Sequence, residues 1–282
     1  MNSGNIQEIR LPETETTPVQ TSGSLLFIGT ATVLARYGGF TFLTDPNFIH
    51  RHEKVDLGGP LSATRLTDPA IDIHQLPPLD FILLSHFHGD HFDQVAEREL
   101  AKEIPIFTPP QAAKQLEERG FTNLYPLDTW QTVQVAKGSA RVSITAAPGK
   151  HGPAVVDLAL PDVMGNLLEF SGPDLNRNFR MYITGDTLIF NDIHEIPLRF
   201  PNIDLALLHL GGTKIMGLLL TMDDQQGVEM LQIIQPETAI PIHYNDYDVF
   251  KSPLEDFQRA VQAAGWQKRV RYLKHGETYT WE

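Results

Sequence analysis

The seven residues Ser85-His86-Phe87-His88-Gly89-Asp90-His91 set three imidazoles and a carboxylate side by side. Neutral imidazole and carboxylate are the ligands that divalent zinc, manganese and iron accept. His86 and His88 are two apart, so in an extended segment they point the same way. Gly89 lets the chain turn, and Asp90 and His91 come back toward the same space. Buried together without a metal, such groups leave several polar atoms unpaired, which is costly. The chemistry in prospect is metal-assisted hydrolysis. A bound metal lowers the pKa of its water to about 7 and polarises the bond under attack.

Other residues that suit this chemistry sit where strands should end. The metal motif itself follows Phe81-Ile82-Leu83-Leu84, an apolar run bounded upstream by Pro77-Pro78 and readable as a buried strand. His151 lies in Pro148-Gly149-Lys150-His151-Gly152 after a strand-like run. Asp186 ends the strand-like Met181-Tyr182-Ile183-Thr184-Gly185-Asp186, and His243 ends Ala239-Ile240-Pro241-Ile242-His243. Upstream stands Phe42-Leu43-Thr44-Asp45-Pro46.

In the order and spacing of these motifs the chain resembles the metallo-β-lactamase-fold hydrolases, from about Ser24 to the C-terminus. Their His-x-His-x-Asp-His signature is matched in full by His86, His88, Asp90 and His91. The likeness is closer to one branch, that of ascorbate-6-phosphate lactonase-like proteins and the N-acyl-phosphatidylethanolamine-hydrolysing phospholipase D. Thr30-Ala31-Thr32-Val33-Leu34 with Phe42–Pro46, then Ile203–Leu208, Gly211-Gly212 and Pro241-Ile242-His243-Tyr244, carry that closer resemblance.

The resemblance implies two metal ions per chain, zinc first and manganese or iron next. His86, His88 and His151 would bind one, Asp90, His91 and His243 the other, and Asp186 would bridge them. Five imidazoles and two carboxylates exceed what one tetrahedral metal takes, which supports two. Such metals sit about 3.5–4 Å apart and share a hydroxide nucleophile. Asp45 is implied to support the metal loop without binding metal, by fixing a ligand imidazole or the loop itself. Asp90 and His209 are the candidate catalytic residues. His209 ends the apolar strand Leu205–Leu208, before Gly211-Gly212. Its two open readings are a rim residue, giving a proton to the leaving group or binding a substrate oxygen, and a structural histidine. His275 is a weaker candidate. Asn245-Asp246-Tyr247-Asp248 either faces substrate or caps a turn. The run Lys214–Met222 is a pocket wall or ordinary core.

The expected activity is cleavage of a small or lipid-like phosphodiester, with a lactone or ester on the same site as the alternative. A metal-binding sensor or scaffold without turnover is the reading from another class. The net charge of −13, from 22 Lys+Arg against 35 Asp+Glu, argues against a nucleic-acid partner. It leaves phosphate substrates open, because bound metals reverse the local sign. The absence of cysteine removes disulfides and thiolate ligands, and suits the cytoplasm. No run approaches a membrane span of roughly 20 apolar residues. A homo-oligomer remains open.

The elements that must position these residues read as an α+β architecture, an αββα sandwich of two mixed sheets with helices outside. Residues 24–282 form one domain, after a mobile N-terminal arm over 1–23. Ser24–Val33 and Phe40–Thr44 are β-rich about a turn at Tyr37-Gly38-Gly39. Helices are expected from Asp93 through Glu103, from Pro109-Pro110 to Gly120, over Asp192–Leu198, from Asp223 through Ile234, and from Ser252-Pro253 to near Gly265. Strands are expected within Asn123–Ala147, around Val155–Leu160 and Leu167–Phe170, at Arg269–Leu273 and at Thr278–Trp281. The turn-rich stretch 47–78 should cover part of the site.

Overall fold

The structure, a computed structural model, describes residues 7–12, 22–58, 61–153, 160–173, 175, 177–215 and 217–282. β1 (Gln7–Arg10) lies inside the expected arm. It pairs in parallel with Thr132–Lys137, with Gln7 opposite Val133, and Ile9 is buried. For these residues the arm reading is corrected. A sheet edge offers free backbone groups, and one apolar side chain gives the segment a place on it. Residues 1–6 and 13–21 lie outside the described residues, as does most of the strand expected around Val155–Leu160.

β2 (Gly23–Gly29), β3 (Thr32–Tyr37) and β4 (Phe40–Thr44) form an antiparallel meander. A ribbon follows, β5 (Lys54–Asp56) with β6 (Ser62–Thr64). β7 (Phe81–Leu83), β8 (Ile106–Thr108) and β9 (Leu124–Pro126) then join β4 in parallel. The crossovers between them contain the helices Gln94–Glu99 and Pro110–Glu117. The first of these stops short of the expected Glu103, because Leu100 has turned to extended backbone (φ −71°, ψ 140°).

The second half repeats the plan. β10 (Thr132–Lys137), β11 (Ala140–Pro148), β12 (Met164–Ser171) and β13 (Phe179–Ile183) are antiparallel. β14 (Leu205–His209) adds in parallel, and β15 (Lys214–Ile215) with β16 (Leu218–Leu219) makes a second ribbon. β17 (Thr238–Ile242) follows the helix Asp224–Ile234, and β18 (Thr278–Trp281) follows the helix Leu254–Ala263. The two large sheets run β18-β2-β3-β4-β7-β8-β9 and β1-β10-β11-β12-β13-β14-β17. Arg269–Leu273, expected as a strand, supplies only an isolated bridge from Val270 to Ala239.

The parallel strands are buried on both faces. In β7, Phe81 and Leu83 enter the core between the sheets, whereas Ile82 meets Ala96, Leu116 and Phe121 outside. In β14, Leu205 and Leu207 face inward, whereas Ala206 and Leu208 pack with Met230, Leu231 and Phe257. This two-residue alternation, apolar on both sides, makes the αββα sandwich. Phe42 stacks on Phe81 at 5.1 Å in the central layer. Each such fully buried side chain contributes about 1.5–3 kcal/mol. No helix among the described residues is long and apolar enough to cross a membrane.

Candidate metal centre

Six parallel or central strands deliver the site residues from their C-terminal ends. Asp45 follows β4, the metal motif follows β7, His151 follows β11, Asp186 follows β13, His209 ends β14 and His243 follows β17. Carboxyl ends of strands are where sheets of this kind leave a crevice. Gly89 serves the motif differently from the sequence expectation. Its φ is not positive, but a Cβ there would meet Asp56 O at 2.6 Å and Val55 Cβ at 2.7 Å. It lets the β5–β6 ribbon lie on the loop. Gly185 has φ +65°, and its absent side chain leaves room for Met164 O and Ser85. His243 and Thr30 hold left-handed backbone too (φ 61° and 52°). They are bonded to each other, His243 N–H donating to Thr30 O at 2.6 Å. Left-handed backbone in a β-branched residue persists where its surroundings over-determine it.

The side chains converge in three groups, two made of the expected ligands and a third of Asp45, His91 and His209. In the first, His86 Nε2 and His151 Nε2 lie 3.1 and 3.4 Å from His88 Nδ1. In the second, His91 Nε2 is 3.3 Å from Asp186 Oδ2, and His243 Nε2 is 3.4 Å from Asp90 Oδ2 and 3.5 Å from Asp186 Oδ1. The opposite ring nitrogens are held by the protein. His86 Nδ1 meets Ser85 Oγ at 3.0 Å, His151 Nδ1 the Leu220 carbonyl at 3.1 Å, and His243 Nδ1 the Leu210 carbonyl at 3.0 Å. His91 Nδ1 meets Asp45 Oδ2 at 3.3 Å. Such contacts fix which nitrogen faces a metal.

Asp90 Oδ1, His91 Nε2, Asp186 Oδ1 and His243 Nε2 are buried without a hydrogen-bond partner. Four orphaned donors and acceptors at one point are what bound cations would satisfy. All seven expected ligands are therefore brought together, and the donor set fits divalent metal.

Burial pushes the pKa of His86 well below its ordinary value, that of His151 down, and that of His88 to about 3. These three rings are thus neutral, as ligation requires. Burial opposes charge on His91 and His243 as well, but Asp186 and Asp90 beside both, and Asp45 beside His91, raise both pKa values. The reciprocal pull outweighs burial at Asp186, which is held well below the carboxylate range. Burial likewise opposes charge on Asp45, yet His91 and His209 bring it down to about 2.

Asp45 sits where the sequence placed it, beneath the motif. One oxygen accepts from Ser85 N–H at 2.7 Å, the other faces His91 and His209. His209 does not reach a rim. It is fully buried, its Nε2 lies 3.3 Å from Asp45 and its Nδ1 3.2 Å from Thr184 Oγ1. Its ring stacks on that of His91 at 5.9 Å and lies 5.6 Å from that of His243, so it backs the second group from inside the protein. His275 pairs with Asp246 at 3.2 Å and stands edge-on to Phe27, away from the centre. Asp246 and Tyr247 are buried rather than facing substrate. Asp246 accepts from Thr30 N–H, and Tyr247 OH donates to Asn47.

Several supporting residues carried no sequence signal. Asn47 Nδ2 donates to Gly89 O at 3.0 Å, and its Oδ1 accepts from fully buried Arg65 and from Tyr247. An arginine in a turn-rich stretch reads as exposed. Thr184 escaped as well, although it adjoins the Gly185-Asp186 pair.

A small cleft opens on the centre. His88, Asp90, His151 and Asp186 form its floor, and Leu57, Leu160, Thr213 and Leu220 its walls. The stretch 47–78 therefore covers part of the site, through Leu57, and the run Lys214–Met222 supplies a wall, through Leu220.

Two seven-stranded sheets around a histidine–aspartate centre define the metallo-β-lactamase fold. A sequence profile described as a beta-lactamase superfamily domain matches residues 33–244, and the chain belongs to this superfamily. A UPF0173 metal-dependent hydrolase of Archaeoglobus fulgidus is 31% identical over 208 residues, covering 71% of this chain and 81% of that relative. Among solved structures, isothiocyanate hydrolase from Delia radicum gut bacteria is similar with a TM-score of 0.76 at 21% identity, over 91% of this chain and 98% of that one. A possible metal-dependent hydrolase from Veillonella parvula gives 0.75 at 20%, with coverages of 91% and 98%. At these identities the structural likeness carries the fold alone.

Proposed function

We propose that the chain is a metal-dependent hydrolase with a dinuclear centre. The observation that carries this is the pair of converging ligand groups, the second of which holds four buried atoms without partners. Metal ions bound there would supply a hydroxide nucleophile near neutral pH and polarise the bond under attack. The chain's own part is positional. Asp186 lies beside both groups, in contact with His91 and His243 and lining the cleft with His88 and His151. Asp90 also lines the cleft, and its Oδ1, like Asp186 Oδ1, has no partner, which leaves it free to accept a proton or a metal there. Ser85, Asp45 and the carbonyls of Leu210 and Leu220 keep the imidazoles in register.

Cleavage of a phosphodiester is the leading reading, because two cations straddling the attacked atom serve that reaction most. Lactone or ester hydrolysis is favoured by one observation: no lysine or arginine is among the described residues lining the cleft, so no side chain is placed to hold a phosphoryl oxygen. Protein purified without chelator and reloaded with zinc, manganese or iron should approach two metal ions per chain by elemental analysis. The same sample should turn over a chromogenic phosphodiester, an aryl ester or a lactone. Saturation near one ion per chain removes the dinuclear centre; full loading with no turnover of any member favours a sensor.

A further inference from the structure

The walls of the cleft choose among substrates that the metal-ligand set alone would not separate. Leu57 closes one side, held on the β5–β6 ribbon by its N–H to Leu61 O at 2.9 Å. Leu220 closes another. Its N–H donates to Thr213 O at 2.8 Å, and its carbonyl is the partner of the ligand His151. Leu160 is the third apolar wall, and the Thr213 side chain the one polar exception among the four. These walls are tied to the centre itself rather than merely flanking it.

No lysine or arginine is among the described residues that line the cleft. Lys214 is exposed, and Lys150 is not among the described residues that line the cleft. A charged group pressed on Leu57, Leu160 and Leu220 would lose its hydration with only the Thr213 side chain in exchange. An apolar group there would instead remove leucine surface from water.

We infer that the cleft selects substrates whose non-reacting part is an uncharged aliphatic or aryl group, with Leu57 as a specificity-determining residue. The inference rests on the hydrolase reading above, and it applies to either scissile bond, since a phosphodiester's charge would sit on the floor and not on the walls. With an ester, the water oxygen bonds to the acyl carbon and the acyl C–O bond breaks; one water proton goes to the leaving oxygen, which departs as the alcohol, and the other to solvent, leaving the acid as its carboxylate.

The test uses metal-loaded protein and two esters with one leaving group, 4-nitrophenyl hexanoate and 4-nitrophenyl hemiadipate. They differ by a carboxylate at the far end of the acyl chain. The neutral ester should lead in kcat/KM by about tenfold or more, as burial of an unpaired charge requires. Leu57→Lys should cut that ratio by about tenfold, because the new ammonium would pair with the distal carboxylate. Calorimetric titration with 2-heptanone and 7-(trimethylammonio)-2-heptanone, neither of which can be hydrolysed, should give the same order. Equal or better use of the hemiadipate by the native protein, or an unchanged ratio in well-folded Leu57→Lys, overturns the inference. If no ester, lactone or diester is turned over but the neutral ketone still binds preferentially, the hydrolase reading fails and the cleft preference stands.

Discussion

Asp186 turns one oxygen toward His91 and the other toward His243, and it is buried on the floor of the cleft. Asp186→Ala should therefore lower kcat/KM by at least about 100-fold, since loss of the fixed spacing misplaces the nucleophile. The fold should survive, because the residue lies past the end of β13. Near-normal turnover with full metal content would show that Asp186 does not join the two groups. His209 leads to a different outcome from the one its sequence position suggests. With both ring nitrogens engaged inside the protein, it has no path to a leaving group. His209→Ala should leave buried Asp45 short of a donor, cost about 1–3 kcal/mol of stability and weaken metal retention. Its plot of log rate against leaving-group pKa should run parallel to that of the native protein. Divergence for poor leaving groups would restore the proton-donor role. His209→Gln, which can still donate to Asp45, should recover part of the lost stability.

The motif loop depends on how the helix Gln94–Glu99 begins. Asp93 accepts from Val95 and Ala96 N–H at 3.0 and 2.8 Å with one oxygen, and from Phe48 and Ile49 N–H with the other. It thus caps the helix and pins the start of the 47–78 stretch against the metal loop. Asp93→Ala would strand four backbone donors, a loss of about 3 kcal/mol or more. Thermal denaturation should show it, together with weaker metal retention, whereas Asp93→Asn should lose less. A surface-like loss near 0.5 kcal/mol would mean that the cap is dispensable. The cap, the motif and the strand ends were legible because each is local: a few consecutive residues state the element and its function. What the sequence hid is what distant segments decide. Arg65 and Asn47 stand in a stretch without hydrophobic period, and their partner Tyr247 is 200 residues from Asn47. The burial of His209 depends on Thr184 and Asp45, on two other strands. β1 is a strand only because the β10 edge receives it. Helix length was misjudged where backbone at Leu100, not composition, ends the turn.

Across the whole molecule, two sheets press the candidate ligands of both halves into one buried centre, so metal bound there would be coupled to folding. The two kinds of charge shift fix how that coupling varies with pH. In the metal-free protein His91 and His243 have pKa values above the ordinary 6.5. Their contribution to stability is fully present below pH 6.5 and is lost as pH rises through the higher folded values. Asp186 and Asp45 are depressed from 3.8, Asp45 to about 2. Their contribution is present above 3.8 and disappears as pH falls through the lower folded values. Metal-free protein should therefore be at its best between these limits and weaken on the alkaline side. Loaded protein should do the reverse there, because ligation requires deprotonated imidazoles and strengthens as pH rises. The gap in Tm between loaded and chelator-stripped protein should widen steadily from pH 5.5 to pH 8. Scans of both forms at matched ionic strength measure it directly. A gap that stays constant or narrows over that range would mean that His91 and His243 do not give up protons to a metal, and the second ligand group would have to be reassigned.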